Sequence, residues 1–309
     1  MGTYVLRRLL QMIPVVLGAT FLIYAMVFEL PGDPSAGKCG DRACPPAVVA
    51  EIRQQYNLDD PLPVAYGKYL GQLAQGDLGE NTYGVPVAEE LGRRYQITGK
   101  LALMALVIEA VIGIAAGVLA AIRKGSFLDQ LVLLSTLVVI SVPVFVIGML
   151  AQFYLGVRWG WFPVTVTTRN PSMYQLLLPA FVLASLSLAY VARLTRTNLA
   201  ENLRADYVRT AKAKGLSQGR AIGLHALRNS MIPVITFIGY DFGALLGGAI
   251  VTERIFNIQG VGGYIFQSIN LRDGFAVVGA VTALVIVYLV VNLIVDLLYG
   301  VLDPRISHD

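Results

Sequence analysis

Hydrophobic residues fall in long blocks along this chain, and polar residues gather in the gaps between them. Six blocks are mostly apolar: 9–30, 101–122, 131–156, 176–195, 232–252 and 275–300. A bilayer core about 30 Å thick needs roughly 20 helical residues to cross it. The pattern therefore predicts six transmembrane helices and an all-α, polytopic membrane protein. Pro14, Gly113, Gly117, Pro143, Pro179, Pro233 and Gly243 lie inside the blocks. Spanning helices tolerate such residues because neighbouring helices, side chains and waters re-satisfy the freed backbone groups. The first block is too long for a secretory signal, and Glu29 with the PGDP turn stands where a small-residue cleavage site would be. We read it as a retained anchor.

The polar gap from 31 to 98 has helical periodicity of its own. In "PPAVVAEIRQQYNL" a proline opens the pattern, and Val48, Ile52 and Tyr56 share one helical face. "PVAYGKYLGQLAQGDLG" predicts a second short helix and "PVAEELGRR" a third. Each is too short to be stable alone. They must cap the chain's own spans, lie on the membrane surface or dock a partner. The expected divisions are an N-terminus with the first span (1–30), an extracytoplasmic loop region (31–98) and a five-span core (99–309) with a cytoplasmic segment at 196–231.

Charge placement orients the spans, because Lys and Arg accumulate on cytoplasmic loops. Segment 193–230 holds eight basic residues against two acidic ones, a net of +6, whereas 31–98 holds six against nine, a net of −3. With Arg7, Arg8, Arg123, Lys124 and Arg305, this puts both termini on the cytoplasmic side of the membrane.

Composition agrees. Of 309 residues, 56% are hydrophobic and 14% charged, with a mean hydropathy of +0.64. Soluble domains average about 25% charged residues, which excludes a chain that is soluble throughout. The net charge of +4 forms no nucleic-acid face.

Both cysteines, Cys39 and Cys44, fall in "CGDRAC" on the outer side. That compartment permits a disulfide, and two free thiols are the alternative. A metal site is not expected, since the histidines, His225 and His308, lie on the opposite side.

Catalytic patterns are missing. Gly67-Lys68 and Gly99-Lys100 lack the upstream glycine and the following Ser or Thr of a phosphate-cradling loop. "QGVGGY" (259–264) has no strand before it and reads as a tight turn. HExxH, GxSxG and a Cys/His cluster are absent, so no catalytic residue is assigned and no ATP hydrolysis is expected from this chain alone. Three ionisable residues lie in the blocks, Glu109, Asp241 and Asp296, with Asn292 one turn before the last. Such groups face a bundle interior or a water path. A substrate or proton path and a satisfied helix–helix contact both account for them, the second being favoured for Asp296. Small residues recur at Gly113 and Gly117, and at Gly239, Gly243 and Gly247, a spacing that lets helix backbones approach closely.

One hydrophilic stretch differs from a simple basic loop. "DYVRTAKAKGLSQGR" (206–220) mixes Arg209, Lys212, Lys214 and Arg220 with Thr210, Ala211, Ala213 and Gly215. Asp206 is the expected N-cap of a short helix and Gly215 its stop. Ser217 starts a second helix running to Pro233, which opens the next span. Tyr207, Ala211 and Lys214 share a face. An aromatic knob with small neighbours and basic flanks suits a groove on another protein, while the charges alone would also fit a topology-setting loop.

With its continuation "HALRNSMIPV", this stretch resembles the cytoplasmic coupling segment of permease subunits in bacterial ABC importers of the dipeptide, oligopeptide and nickel type. The resemblance runs nearly end to end, through "ELPGDP", "LDDPLPVAYGKYLGQLAQGDLG", "SVPVF", "ARLTR", "GALLGGAIVTERIFNIQGVGG" and "NLIVDLLYGVLDPRI". It is similar to the B-type permease, the partner with the large outer loop. One departure stands out: the usual Glu-Ala-Ala, three residues, Gly becomes Arg209-Thr210-Ala211 and then Gly215.

The resemblance implies a type I importer fold and a path shared with a second permease. It implies two ATP-binding subunits beneath, which hold ATP and Mg while this chain holds no cofactor, and an extracytoplasmic substrate-binding protein. Asp206, Tyr207, Arg209, Ala211, Lys212, Lys214 and Gly215 would form the ATPase-coupling contact. Gly239, Gly243 and Gly247 would pack near the path against the second permease. Peptides are the expected cargo, with a nickel complex or glutathione as alternatives. A self-contained carrier or channel is the competing reading from the residues alone.

Overall fold

The computed structural model describes residues 2–28, 45–55, 57 and 59–302. Cys39, Cys44, the PGDP turn, Tyr56 and Arg305 lie outside them. The described chain is helical apart from turns, the irregular segments 75–86 and 159–172, and one isolated bridge between Glu80 and Pro86. It divides into two compact units, Met1–Gly99 with Thr167–Arg169 and Asn257–Asp309, and Lys100–Val166 with Asn170–Phe256.

The first unit holds α1 (Gly2–Phe28), α2 (Pro46–Gln55), α3 (Leu62–Ala74), the start of α4 (Val87–Ile108), and two later helices, α12 (Val261–Asn270) and α13 (Gly274–Leu302). Here the outer segment caps its own spans. Tyr66 of α3 donates its hydroxyl to the Leu17 carbonyl at 2.8 Å and meets the Thr20 hydroxyl at 2.8 Å. Tyr69 donates to Thr282 of α13 at 2.8 Å. Tyr24, Phe28 and Phe275 complete an aromatic cluster with ring centroids 4.6 to 5.3 Å apart. Asp273 caps α13 through the Ala276 amide at 3.1 Å and also accepts the Thr82 amide at 2.7 Å, pinning the 77–86 turn. At Gly279 a Cβ would stand 2.2 Å from the Leu78 carbonyl oxygen, so only glycine fits beneath that turn.

The second unit is built on α8 (Met173–Asn202). It packs against α5 (Ile114–Ile122), α6 (Phe127–Ser141), α7 (Val144–Ala151) and α11 (Arg228–Ile255). In its most apolar stretch 61% of residues are buried, compared with 11% for α1. Ser172 and Gln175 form a capping box at its start. Gly113 and Gly117 permit the close approach of the α4–α5 helix to α8. A Cβ at Gly117 would lie 2.5 Å from both the Ala192 carbonyl oxygen and the Thr195 Cβ. At its other end Arg196 of α8 grips Asp129 of α6.

Among the described residues five helices are long and apolar enough to cross a membrane, or six if the bent pair is one span. This is a multi-pass membrane protein. Three boundaries differ from expectation. "PVAEELGRR" is not a separate helix but the first turns of a continuous run, Val87–Ile122. The third block is broken: Phe127–Ser141 and Val144–Arg158 meet at 104°. Pro143 cannot donate to the helix and disfavours the helical conformation at the residue before it. Val142 is accordingly extended, at φ −103° and ψ 126°. The fifth span begins at Gln218, and Pro233 lies inside α11, not at its start.

Candidate functional site

The basic segment folds as a short helix, α9 (Asp206–Ala213), followed by α10 (Gln218–Ala221), a π-helical turn (Ile222–Leu227) and then α11. Its pattern explains the shape. Val208 is fully buried among Ala121, Leu199, Ala200, Ala221 and Ala226, with Leu203, Leu216 and Leu227 around them. Arg209, Thr210, Lys212, Ala213 and Lys214 face outward. Gly215, at φ +90°, ends α9 in the left-handed conformation that glycine adopts without strain. The Gly215 amide donates to the Lys212 carbonyl at 3.0 Å and the Leu216 amide to the Ala211 carbonyl at 3.2 Å. This is a Schellman stop, with Leu216 folded back onto the buried face.

A chain of hydrogen bonds joins this helix to two spans. Tyr207 donates its hydroxyl to the side-chain oxygen of Asn202, the last residue of α8. Asn202 donates to the Asn198 carbonyl at 2.9 Å and to the Ser230 hydroxyl of α11 at 3.0 Å. Ser230 in turn donates to the Ala226 carbonyl at 2.6 Å. These bonds tie α9 to the end of α8 and to the first turn of α11. Nothing in the sequence pattern singled out Asn202 or Ser230. Asn198 and Asn202, one turn apart beyond the fourth block, were the available signal.

Several expectations are corrected by the geometry. Asp206 is the first helical residue and Ala205 occupies the capping position without a side-chain bond. Asp206 is instead exposed and paired with Arg209 at 3.5 Å. Ala211 does not share the outward face of Tyr207 and Lys214. It is 7% exposed, turned into this chain, because Val208 and Ala211 at three-residue spacing form the apolar stripe. The outward face offers Tyr207, Arg209, Lys212, Ala213 and Lys214, with Leu224 of the following turn 60% exposed.

The other selected residues lie elsewhere. Gly243 is buried, and Gly239 and Gly247 are half-buried on α11. A Cβ at Gly247 would meet nothing within 4 Å, so this chain leaves that surface open. Glu109 is fully buried at the start of a π-helical turn, Glu109–Gly113. Its carboxyl interacts with that of Asp241. Asp296 pairs with Arg8 of α1 at 3.2 Å. No cluster of three or more His, Cys, Asp or Glu side chains suited to a metal occurs among the described residues.

Several membrane-spanning helices, with a short basic helix on the surface tied to two of them, fit the transmembrane component of a transporter. Residues 113–308 match the family described as binding-protein-dependent transport system inner membrane component, and residues 1–107 match its N-terminal companion. The chain belongs to this family: it is a transport permease subunit, not an enzyme. The short gap between the two matches, 108–112, falls at the π-helical turn of Glu109. A dipeptide transport system permease protein from Alkalihalophilus pseudofirmus is 36% identical over 100% of both chains. One from Escherichia coli is 37% identical over 99% of this chain and 98% of its own. A glutathione transport system permease protein from Salmonella paratyphi A is 37% identical over 100% of both. Family membership supports the importer subunit over a self-contained carrier or channel.

Proposed function

We propose that this permease pairs with a second one in the bacterial inner membrane and moves short peptides inward from an extracytoplasmic binding protein. ATP hydrolysis in two partner subunits drives the movement, with the outward face of α9 seated on one of them. The carrying observation is end-to-end similarity to permeases of dipeptide and glutathione systems, relatives whose cargo is peptidic. The net positive charge of segment 193–230 supports a cytoplasmic position for α9 and both termini.

The site geometry supplies a mechanism. ATP favours the closed arrangement of the ATPase pair, and only a ligand with unequal affinity for two states shifts their populations. Held by Val208, Leu216 and the Tyr207–Asn202–Ser230 bonds, α9 moves as one piece with the spans it joins. The open face around Gly247 is left for the second permease.

Reconstitution tests this reading. Proteoliposomes holding both permeases, both ATPase subunits and the binding protein should accumulate dipeptide only with ATP present. Uptake without the ATPase subunits, or no uptake of any short peptide, would refute it.

A further inference from the structure

A second polar site lies in the first unit, at the outer end assigned by charge, and it plays no part in coupling. A cavity of about 290 Å³ opens there, lined by Glu90, Arg93 and Arg94 near the start of α4, Arg169 and Gln259. Its lining carries three guanidiniums against one carboxylate. Arg94 is committed to Glu90 at 3.0 Å and lies over the Tyr264 ring at 4.6 Å, which fixes its plane. Arg93 is paired with Glu89 at 2.6 Å, on the exposed side. Arg169 forms neither an ion pair nor a hydrogen bond among the described residues. The walls are tied together: the Val261 amide donates to the Thr98 hydroxyl at 2.9 Å, and Gln259 reaches the Thr167 carbonyl at 3.4 Å.

We propose that this cavity receives the C-terminal carboxylate of a peptide as it leaves the binding protein. Guanidiniums present paired donors that match a carboxylate, and Arg169 and Arg93 have donors to spare. Gln96 and Gln259, which also line the cavity, offer amide groups to the peptide backbone. The volume sits at the lower edge of small-molecule pockets, about 300 Å³ and above, which suits the end of a short peptide. The inference rests on the peptide-importer reading and gives that reading a subsite on the permease itself.

The assembled transporter in nanodiscs, without binding protein, is titrated with dialanine and with dialanine amidated at its C-terminus, and binding is read by saturation-transfer NMR. Dialanine should bind. Amidation, Arg169→Gln and Arg93→Gln should each weaken binding roughly tenfold, the size of a lost bond to a charged group. Arg169 stands on an exposed segment, so its variant should keep wild-type thermal stability. Dialanine uptake by wild-type proteoliposomes with binding protein is measured in parallel. Uptake in wild type with equal dialanine binding in all three proteins would overturn the subsite alone. No uptake in wild type would remove the peptide reading and the subsite with it. Weaker affinity for the binding protein, with peptide binding unchanged, would assign the arginines to a protein contact and also overturn the proposal.

Discussion

Arg196 and Asp129 form a bidentate ion pair, with Nε 2.6 Å from Oδ1 and Nη2 2.9 Å from Oδ2. Asp129 is 4% exposed at its side chain and also accepts the Gly125 amide at 2.8 Å. One carboxylate therefore closes the turn between α5 and α6 and fastens both to the end of α8. Removing a single partner from such a pair leaves a buried charge without compensation. We expect Asp129→Asn or Arg196→Gln to cost about 3 kcal/mol, read as a lower thermal midpoint of the detergent-solubilised complex. The matched apolar pair, Asp129→Leu with Arg196→Met, should recover most of the loss. Single variants as stable as wild type would show that the pair contributes little.

The glycine stripes divide by what stands opposite them. Gly117 faces the Ala192 carbonyl and Thr195 at distances no Cβ tolerates, whereas Gly247 faces open space. Gly117→Leu should therefore push α5 off α8 at a cost of about 1–3 kcal/mol and lower the yield of folded chain. Gly247→Ala should leave the isolated chain unchanged and act on copurification of the second permease. Equal stability of the two variants would contradict the packing described.

Much of this arrangement was readable in the sequence. Six oily blocks, the basic segment and the Gly215 stop all follow from local pattern, which composition and spacing record directly. Residue-level orientation was not readable where a single turn decides it. Ala211 and Val208 are inward because α9 packs against Leu199 and Ala221, partners distant in sequence. Pro143 breaks a block that hydropathy presents as continuous. The Arg196–Asp129 pair joins residues 67 positions apart, and no periodicity encodes that meeting.

The inward turn of Ala211 changes how the coupling face should be probed. Ala211→Arg would bury a guanidinium within this chain's own packing, so its failure would report misfolding. Lys212→Glu with Lys214→Glu alters only exposed positions. This double variant should insert normally and lose ATPase-subunit copurification at moderate salt, because reversed charge at a contact is repulsive. Undiminished copurification would move the ATPase contact away from α9.

Tyr207 offers the sharpest test of how α9 transmits movement. Its hydroxyl bonds Asn202, whose amide bonds Ser230, so one phenol links the helix to two spans. Tyr207→Phe keeps the ring, which is 38% exposed, and deletes only the link. A hydrogen bond of this kind contributes about 1 kcal/mol, too little to unfold the chain but enough to loosen the joint. We expect normal insertion and ATPase copurification, retained ATP hydrolysis and a lower ratio of peptide moved to ATP consumed. Ser230→Ala should lower the same ratio, and the double variant should do no worse than either single one, because both remove one shared connection. A Tyr207→Phe transporter with the wild-type ratio would mean that buried apolar packing around Val208 alone moves the spans.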